Sequence, residues 1–219
     1  MRLILPVKRK KKKDNLEVPR IGIRFHIPQD MNIVEYFGRG PEENYIDRNA
    51  GSMVGRYKTI ADSMYVDYVR PQENGHRTDT RWVVLSDKSG RGLLVQADKT
   101  IGFNALRNTI EDFDAEDSSR PYQWRNRSPE EIENHDLDEA KNAMRKMTHV
   151  NDIIPRDFVE VSVDMKQQGV AGYDSWGAKV QPGYTIPANQ NYEWGFTFVP
   201  IRAKAKYTLG EETTKVLPS

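Results

Sequence analysis

Residues Arg20-Ile21-Gly22-Ile23-Arg24-Phe25-His26-Ile27 alternate apolar and polar side chains. A period of two predicts a strand that buries one face. Tyr192 to Phe198 has the same period and places four aromatic side chains on one face, which is enough area to anchor a sheet core. Shorter stretches of this kind are Ile33 to Phe37, Arg81 to Leu85, Gly92 to Ala97 and Val159 to Val163. The chain is therefore expected to be all-β.

Turn-forming pairs separate these strands, namely Gly40-Pro41, Asn74-Gly75, Ser89-Gly90 and Pro182-Gly183. Many short strands joined by such turns are typical of antiparallel sandwiches. We predict one large antiparallel β-sandwich that spans residues 19–200, with a basic arm at 1–18 and a tail at 201–219.

One segment has the pattern of a helix. Ser128-Pro129-Glu130-Glu131 combines an N-cap residue, a proline at the first helical position and a capping-box glutamate. Leu137, Ala140, Met144 and Met147 then recur at helical spacing. The sequence predicts one short helix here, preceded by a long polar loop over 112–127. Residues 112–147 are thus expected to form an insertion on the rim of the sandwich.

Several function classes lose their usual support. The 219 residues include no cysteine, which excludes a disulfide framework, a thiolate zinc site and a cysteine nucleophile. The four histidines lack metal-ligand spacing, and no nucleophile elbow, phosphate-binding loop or dinucleotide-binding motif is present. No apolar run is long enough for a membrane span or a signal-peptide core, so we expect a soluble protein, with the cytoplasm favoured.

The charge distribution is uneven. Seven of the 33 basic residues and none of the 32 acidic residues lie within the first 13 positions, mostly in the run Lys8 to Lys13. A basic arm can bind nucleic acid or an anionic membrane. No aromatic residue is interleaved to stack on bases, so a solvated arm is the preferred interpretation and neither partner is predicted.

Three stretches are rich in special residues: Gly38 to Tyr45, Tyr68 to Gly75 and Gly169 to Gly177. Glu42 and Glu43 are adjacent and point in opposite directions in an extended chain, so they cannot form an acid and nucleophile pair. We expect the glutamates and asparagines of the first two stretches to bond backbone amides and arginines within loops.

The third stretch contains Trp176. Its flanking glycines leave room for the indole to stand on a loop, where it could stack on the apolar face of a sugar. Asp174 and Ser175 are suited to bonding the local backbone and fixing that loop. Trp176 could equally be a core residue of the sandwich, and spacing alone does not choose between the two.

Several motifs of the sequence together resemble those of a known protein family. Its motifs occur in the same order as in the family and are Pro19 to Phe25, Gly38 to Tyr45 with Asp47-Arg48, Met64 to Tyr68, Arg70 to Gly75 with Arg77-Thr78-Asp79, Pro155 to Asp157, and Asp174 to Gly177. Together they resemble the C-terminal β-sandwich of family 2 glycoside hydrolase β-galactosidases, which is a separate small chain in some members. The resemblance runs from about Pro19 to Pro200, which is most of the chain, and implies the large sandwich fold of galactose mutarotase.

The resemblance also implies a role for Trp176. In that family, the tryptophan of a D-S-W motif forms a stacking platform for the galactoside, and Gly172, Tyr173, Asp174, Ser175 and Gly177 would support it. The catalytic glutamates and magnesium ligands lie on a separate barrel, so the resemblance implies no catalytic residue, metal ligand or cofactor on this chain. The implied partners are a β-galactosidase catalytic domain or large subunit and a galactoside such as lactose. The chain alone is expected to be inactive.

The chain departs from the family in two places. Tyr173 stands where the family's G-G-D-D-S-W motif has an acidic residue, which changes the polarity of the loop and puts the sugar preference in question. The family's first strands have no counterpart, so we expect an N-terminally truncated sandwich with exposed edges, covered by a partner or by self-association. The alternative function is a stand-alone galactoside-binding module. A third is a mutarotase-like activity, in which His26 or His76 would need a carboxylate partner.

Overall fold

The computed structural model describes residues 17–113, 149–172, 174 and 178–202, and the backbone of residues 2–5. The strands are β1 (Arg2–Leu5), β2 (Arg20–Pro28), β3 (Ile33–Gly40), β4 (Met53–Ile60), β5 (Arg77–Ser86), β6 (Gly92–Leu106), β7 (Phe158–Gln167) and β8 (Tyr192–Ile201). The α-helix in these ranges is α1 (Ile110–Phe113), and 3-10 turns cover Ala61–Ser63, Val150–Asp152 and Pro182–Tyr184. The prediction of an all-β chain is confirmed.

The eight strands form one antiparallel sheet that branches at β6. The strand order is β1-β8-β6-β5-β3-β4, and β7 pairs with both β6 and β2. Residues Gly92 to Ala97 of β6 pair with β8, whereas Gly102 to Leu106 pair with β7. The long central strand thus joins a β8–β1 branch to a β7–β2 branch.

The predicted strands are confirmed, and their observed bounds extend beyond the predicted ones. β6 runs nine residues past Ala97 because Asp98 to Thr100, which are polar and exposed, interrupt its apolar pattern without ending the strand. The sequence did not predict β4, since this edge strand is mostly exposed and has no regular apolar alternation. β1 was also not predicted.

Among the described residues, the core consists of three clusters of buried side chains. Its main cluster takes buried side chains from β3, β5, β6, β7 and β8, with Phe103 and Phe196 almost fully buried. Three of the four aromatic residues predicted to face the core from β8 are buried, whereas Phe198 is 36% exposed. The Phe198 ring nevertheless contacts Phe25 of β2 edge-on, with ring centroids 5.4 Å apart. This ring contact joins β8 to β2; the sandwich arrangement and its likeness to galactose mutarotase stay predictions.

The helix predicted near Ser128 to Met147 lies outside the described residues. Within the range assigned to the insertion, Asp112 and Phe113 belong to α1 and are buried. Asp112 accepts a hydrogen bond from Arg156 Nε at 3.1 Å, which ties α1 to the segment that precedes β7. The described helices include none that is long and apolar enough to cross a membrane.

Candidate functional site

A groove opens where β7 ends and the loop toward β8 begins. Its cavity volume is about 670 Å³, within the range of ligand sites in proteins. The lining includes Arg20, Arg48, Tyr68, Gln72, Glu73, Gln167, Gln168, Gly169, Val170, Ala171 and Val180. Charged groups, carboxamides, a phenol and two valines thus share one concave surface.

The loop on the rim of the groove is held by a carboxylate from a distant part of the chain. Oδ2 of Asp47, in the turn between β3 and β4, accepts a hydrogen bond from the Ala171 amide at 2.8 Å. The Gly169 amide donates to the Tyr184 carbonyl at 2.9 Å. The backbone of residues 169–171 is therefore bonded on two sides.

The two ends of the next loop segment approach each other closely. A Cβ atom on Gly172 would lie 2.3 Å from the carbonyl oxygen of Ala178, so only a glycine fits there. Oδ1 of Asp174 accepts a hydrogen bond from the Ala178 amide at 3.3 Å. Residues 172 and 178 thus form a narrow neck.

A buried carboxylate joins the two motif stretches beneath the groove. Glu43, whose side chain is 7% exposed, accepts hydrogen bonds from Arg48 Nη2, from the Tyr68 hydroxyl and, through Oε2 at 2.7 Å, from the Gly75 amide. The Arg48 guanidinium also lies over the Tyr45 ring, 4.8 Å from its centroid. Arg48 and Tyr68 are thereby fixed in the groove wall.

The asparagines of the same stretches bond the backbone. The Asn44 carboxamide donates to the Glu42 carbonyl at 3.0 Å and accepts from the Thr78 amide at 2.9 Å. Asn74 donates to the Gln72 carbonyl at 2.8 Å. These contacts confirm the predicted loop hydrogen bonding for Glu43, Asn44 and Asn74.

Arg20 links the groove to the sheet interior. Its Nη2 donates to Gln167 Oε1 at 2.6 Å and to Asn104 Oδ1 at 2.9 Å, and it lies 3.3 Å from Glu73 Oε1. Its Nε lies 3.1 Å from Oδ2 of Asp164, whose side chain is fully buried. One guanidinium thus meets two carboxylates and two carboxamides.

Two titratable groups behind Arg20 are strongly perturbed. Burial raises the pKa of Asp164 to about 7, while the positive charge of Arg20 opposes this rise and the negative charge of Glu73 adds to it. Burial, together with the nearby charge of Arg20, lowers the pKa of His76 to about 3. His76 is therefore neutral at pH 7 and donates from Nδ1 to Asn104 Oδ1 at 2.7 Å.

The comparisons with known proteins identify the family. A family model described as "Beta galactosidase small chain" matches residues 3–198. The chain belongs to the β-galactosidase small-chain family. It is 35% identical over 185 residues to a protein named beta-galactosidase from Priestia megaterium, a match that covers 84% of this chain and 15% of that protein.

Other relatives agree in name and extent. Proteins named beta-galactosidase from Halalkalibacterium halodurans and Streptococcus thermophilus are 31% and 29% identical, over 82% and 84% of this chain. Each match covers 15% of the relative. This small chain therefore spans about one seventh of the length of the curated relatives that it matches.

The structure describes two of the six predicted site residues. Gly172 and Asp174 of this small chain lie at the neck described above, whereas Tyr173, Ser175, Trp176 and Gly177 lie outside the described residues. The sugar contact of Trp176 therefore stays a prediction. The basic run Lys8 to Lys13 also lies outside. In the described ranges, no group of three or more His, Asp or Glu side chains could hold a metal ion.

The sequence did not predict the contacts that build the groove. Asp47 to Ala171 and Arg20 to Asp164 join segments that are far apart in sequence, and no local pattern encodes such contacts. The sequence did contain one signal of such contacts. The stretches Gly38 to Tyr45 and Tyr68 to Gly75 contain more acidic and amide residues than a simple turn needs.

The histidines have carboxylate neighbours, but these pairs do not support mutarotase-like chemistry. Nε2 of His26 lies 3.2 Å from Glu160 Oε2, but the Glu160 side chain is only 9% exposed, and the cavity that it lines has a volume of about 20 Å³, which is too small for a sugar ring. Nδ1 of His76 lies 3.8 Å from Asp164 Oδ2 in the buried interior. Its lowered pKa makes it a poor proton acceptor near pH 7.

Proposed function

We propose that this chain is the small-chain part of a larger family 2 β-galactosidase, placed after the catalytic barrel. It completes the galactoside site through Trp176 and supplies no catalytic carboxylate. Retaining hydrolysis needs an acid/base and a nucleophile on either side of the scissile bond. In this proposal both belong to the barrel, as do the magnesium ligands.

The observation that carries the proposal is the anchored loop beside the groove. The Ala171 amide is held by Asp47, and the Ala178 amide is held by Asp174, on either side of Trp176 in the sequence. An indole on a loop of fixed ends presents a flat apolar face with little loss of conformational freedom. Such a face can stack on the C–H face of a sugar.

The family comparison supports the parent activity. The relatives are named beta-galactosidase, and this chain spans only 15% of their length. A chain of this extent needs the remainder of the enzyme for hydrolysis. Lactose is the natural test substrate, because the proposed site binds a terminal β-galactosyl group.

The test is a complementation assay. A β-galactosidase lacking the matching region is mixed with this chain, and association and lactose hydrolysis are measured separately. We expect the mixture to hydrolyse lactose and each component alone to be inactive. Hydrolysis by the purified small chain alone would refute the proposal, as would failure of the associated complex to hydrolyse lactose.

Two variants test the role of Trp176. Trp176→Ala removes the stacking face and should raise KM for lactose, whereas Trp176→Phe keeps an aromatic face and should recover part of the loss. Association with the large component should be unchanged in both.

Titration of the isolated chain with galactose distinguishes the proposed function from the alternative, a stand-alone galactoside-binding module. Millimolar or tighter binding of galactose by the isolated chain would favour the module.

A further inference from the structure

Asp47 reaches across 124 residues of sequence to the loop that precedes Trp176. Its Oδ2 accepts the Ala171 amide at 2.8 Å, and an ionised acceptor makes such a bond about twice as strong as a neutral one. Asp47 itself lies in the turn between β3 and β4, beside Arg48. The loop is therefore bonded to a part of the fold that the sheet holds in place.

Gly169 provides a second, independent sign of this contact. A Cβ atom at position 169 would lie 2.4 Å from Asp47 Oδ2 and 2.9 Å from Asp47 Cβ. Any larger residue at 169 would displace the Asp47 side chain. The glycine and the carboxylate are thus matched in shape as well as by the hydrogen bond.

Both contacted residues line the groove, and Trp176 follows Ala171 by five positions. We propose that Asp47 is a positioning residue, which fixes the backbone of residues 169–171 on the groove rim and thereby sets the place of Trp176 in the galactoside site. This inference rests on the proposed function, in which Trp176 stacks on the sugar. Asp47 acts through the loop and does not contact the sugar.

The loop contact is tested on the chain alone by hydrogen exchange at the amides of residues 169–171. Asp47→Ala should speed exchange at the Ala171 amide by about ten-fold or more, the scale of a lost charge-assisted hydrogen bond. Asp47→Asn keeps a carboxamide oxygen as acceptor and should restore part of the protection. Unchanged exchange in Asp47→Ala would overturn the proposal.

A matched control is available at Asp87. Its Oδ1 accepts the amides of Ser89 and Arg91 at 2.8 and 3.0 Å, so it clamps the β5–β6 turn as Asp47 clamps the groove loop. Asp87→Ala removes the same kind of bond away from the groove. It should leave exchange at residue 171 as in the wild type, and accelerated exchange there would overturn the specific role of Asp47.

The second arm uses the complemented enzyme at saturating small chain. Asp47→Ala should raise KM for lactose by about ten-fold or more, Asp47→Asn by less, and Asp87→Ala not at all. If Asp47 acts by placing Trp176, the double variant Asp47→Ala/Trp176→Ala should be no worse than Trp176→Ala. Additive losses would overturn the positioning role, because general damage does not depend on Trp176.

The outcomes separate this inference from the proposed function. Hydrolysis that is insensitive to Trp176→Ala would refute the proposed function and, with it, the role of Asp47 in hydrolysis. Hydrolysis that falls with Trp176→Ala but not with Asp47→Ala would refute only the role of Asp47.

Discussion

The substitution Asp164→Asn should change how the stability of this chain depends on pH. Asp164 lies on β7 with its side chain fully buried, and the charged groups that act on it are Arg20 and Arg24 of β2 and Glu73 of the groove wall. Burial raises its pKa from 3.8 to about 7. Asparagine has nearly the same shape and mimics the protonated acid at every pH.

The sign of the effect follows from proton linkage. The folded state holds the Asp164 proton more tightly than the unfolded state, so this group contributes stability below pH 3.8 that is lost as the pH rises to about 7. The difference between the pKa values of Asp164 in the unfolded and folded states corresponds to about 4 kcal/mol.

His76 contributes with the opposite sign. Its pKa falls from 6.5 to about 3, so its contribution is present above pH 6.5 and is lost as the pH falls. Between about pH 4 and 6.5, the contributions of Asp164 and His76 to wild-type stability change in opposite directions and offset each other. The pH dependence of wild-type stability alone therefore shows neither contribution. The difference between variant and wild type isolates the Asp164 contribution.

The assay is urea unfolding, followed by tryptophan fluorescence, at pH values from 4 to 8. The free energy of unfolding of Asp164→Asn minus that of the wild type should rise by about 4 kcal/mol over this range. Asp30→Asn, which removes an exposed carboxylate, is the control for a lost negative charge. A difference that stays constant with pH would refute the account of Asp164.

Two further substitutions test the packing. Gly22→Ala would place a Cβ 2.0 Å from Asp164 Oδ1 and 2.7 Å from the Val163 carbonyl oxygen. It should therefore lower the free energy of unfolding in urea by about 1–3 kcal/mol. The control Gly51→Ala, whose new Cβ would have no atom within 4 Å, should leave the free energy of unfolding unchanged. Equal effects of the two substitutions would contradict the close approach at Gly22. Phe103→Ala, at a side chain of 0% exposure, should cost about 3–5 kcal/mol, and a loss below about 1 kcal/mol would contradict its place in the core.

Local patterns in the sequence were sufficient for most of the strands. β2 and β8 alternate clearly because one face of each is buried, and the Asn74-Gly75 and Ser89-Gly90 turns contain glycines with positive φ, as turn chemistry requires. β4 escaped prediction for the converse reason. Its half-buried face consists of Gly55, Tyr57 and Thr59, and only one of these three is a large apolar residue, so no alternating pattern marks the strand.

The branch point at β6 could not be predicted from any single stretch. Asp98 to Thr100 are exposed where β6 changes partner from β8 to β7, and these polar residues interrupt the apolar pattern of the strand. The strand continues because β5 still pairs with β6 beyond this point, with a register shift near Thr80. Long-range pairing therefore overrode the local signal.

Gly169 and Gly172 have a different structural role from the one that the sequence suggested. The sequence suggested that they make room for the indole of Trp176. In the structure, the space beside Gly169 is filled by the Asp47 carboxylate, and the space beside Gly172 is filled by the Ala178 backbone. These two glycines therefore allow close approach of groups that fix the loop ends. A stacking platform needs fixed ends more than it needs room, so the same residues serve the proposed sugar site through packing that only the fold reveals.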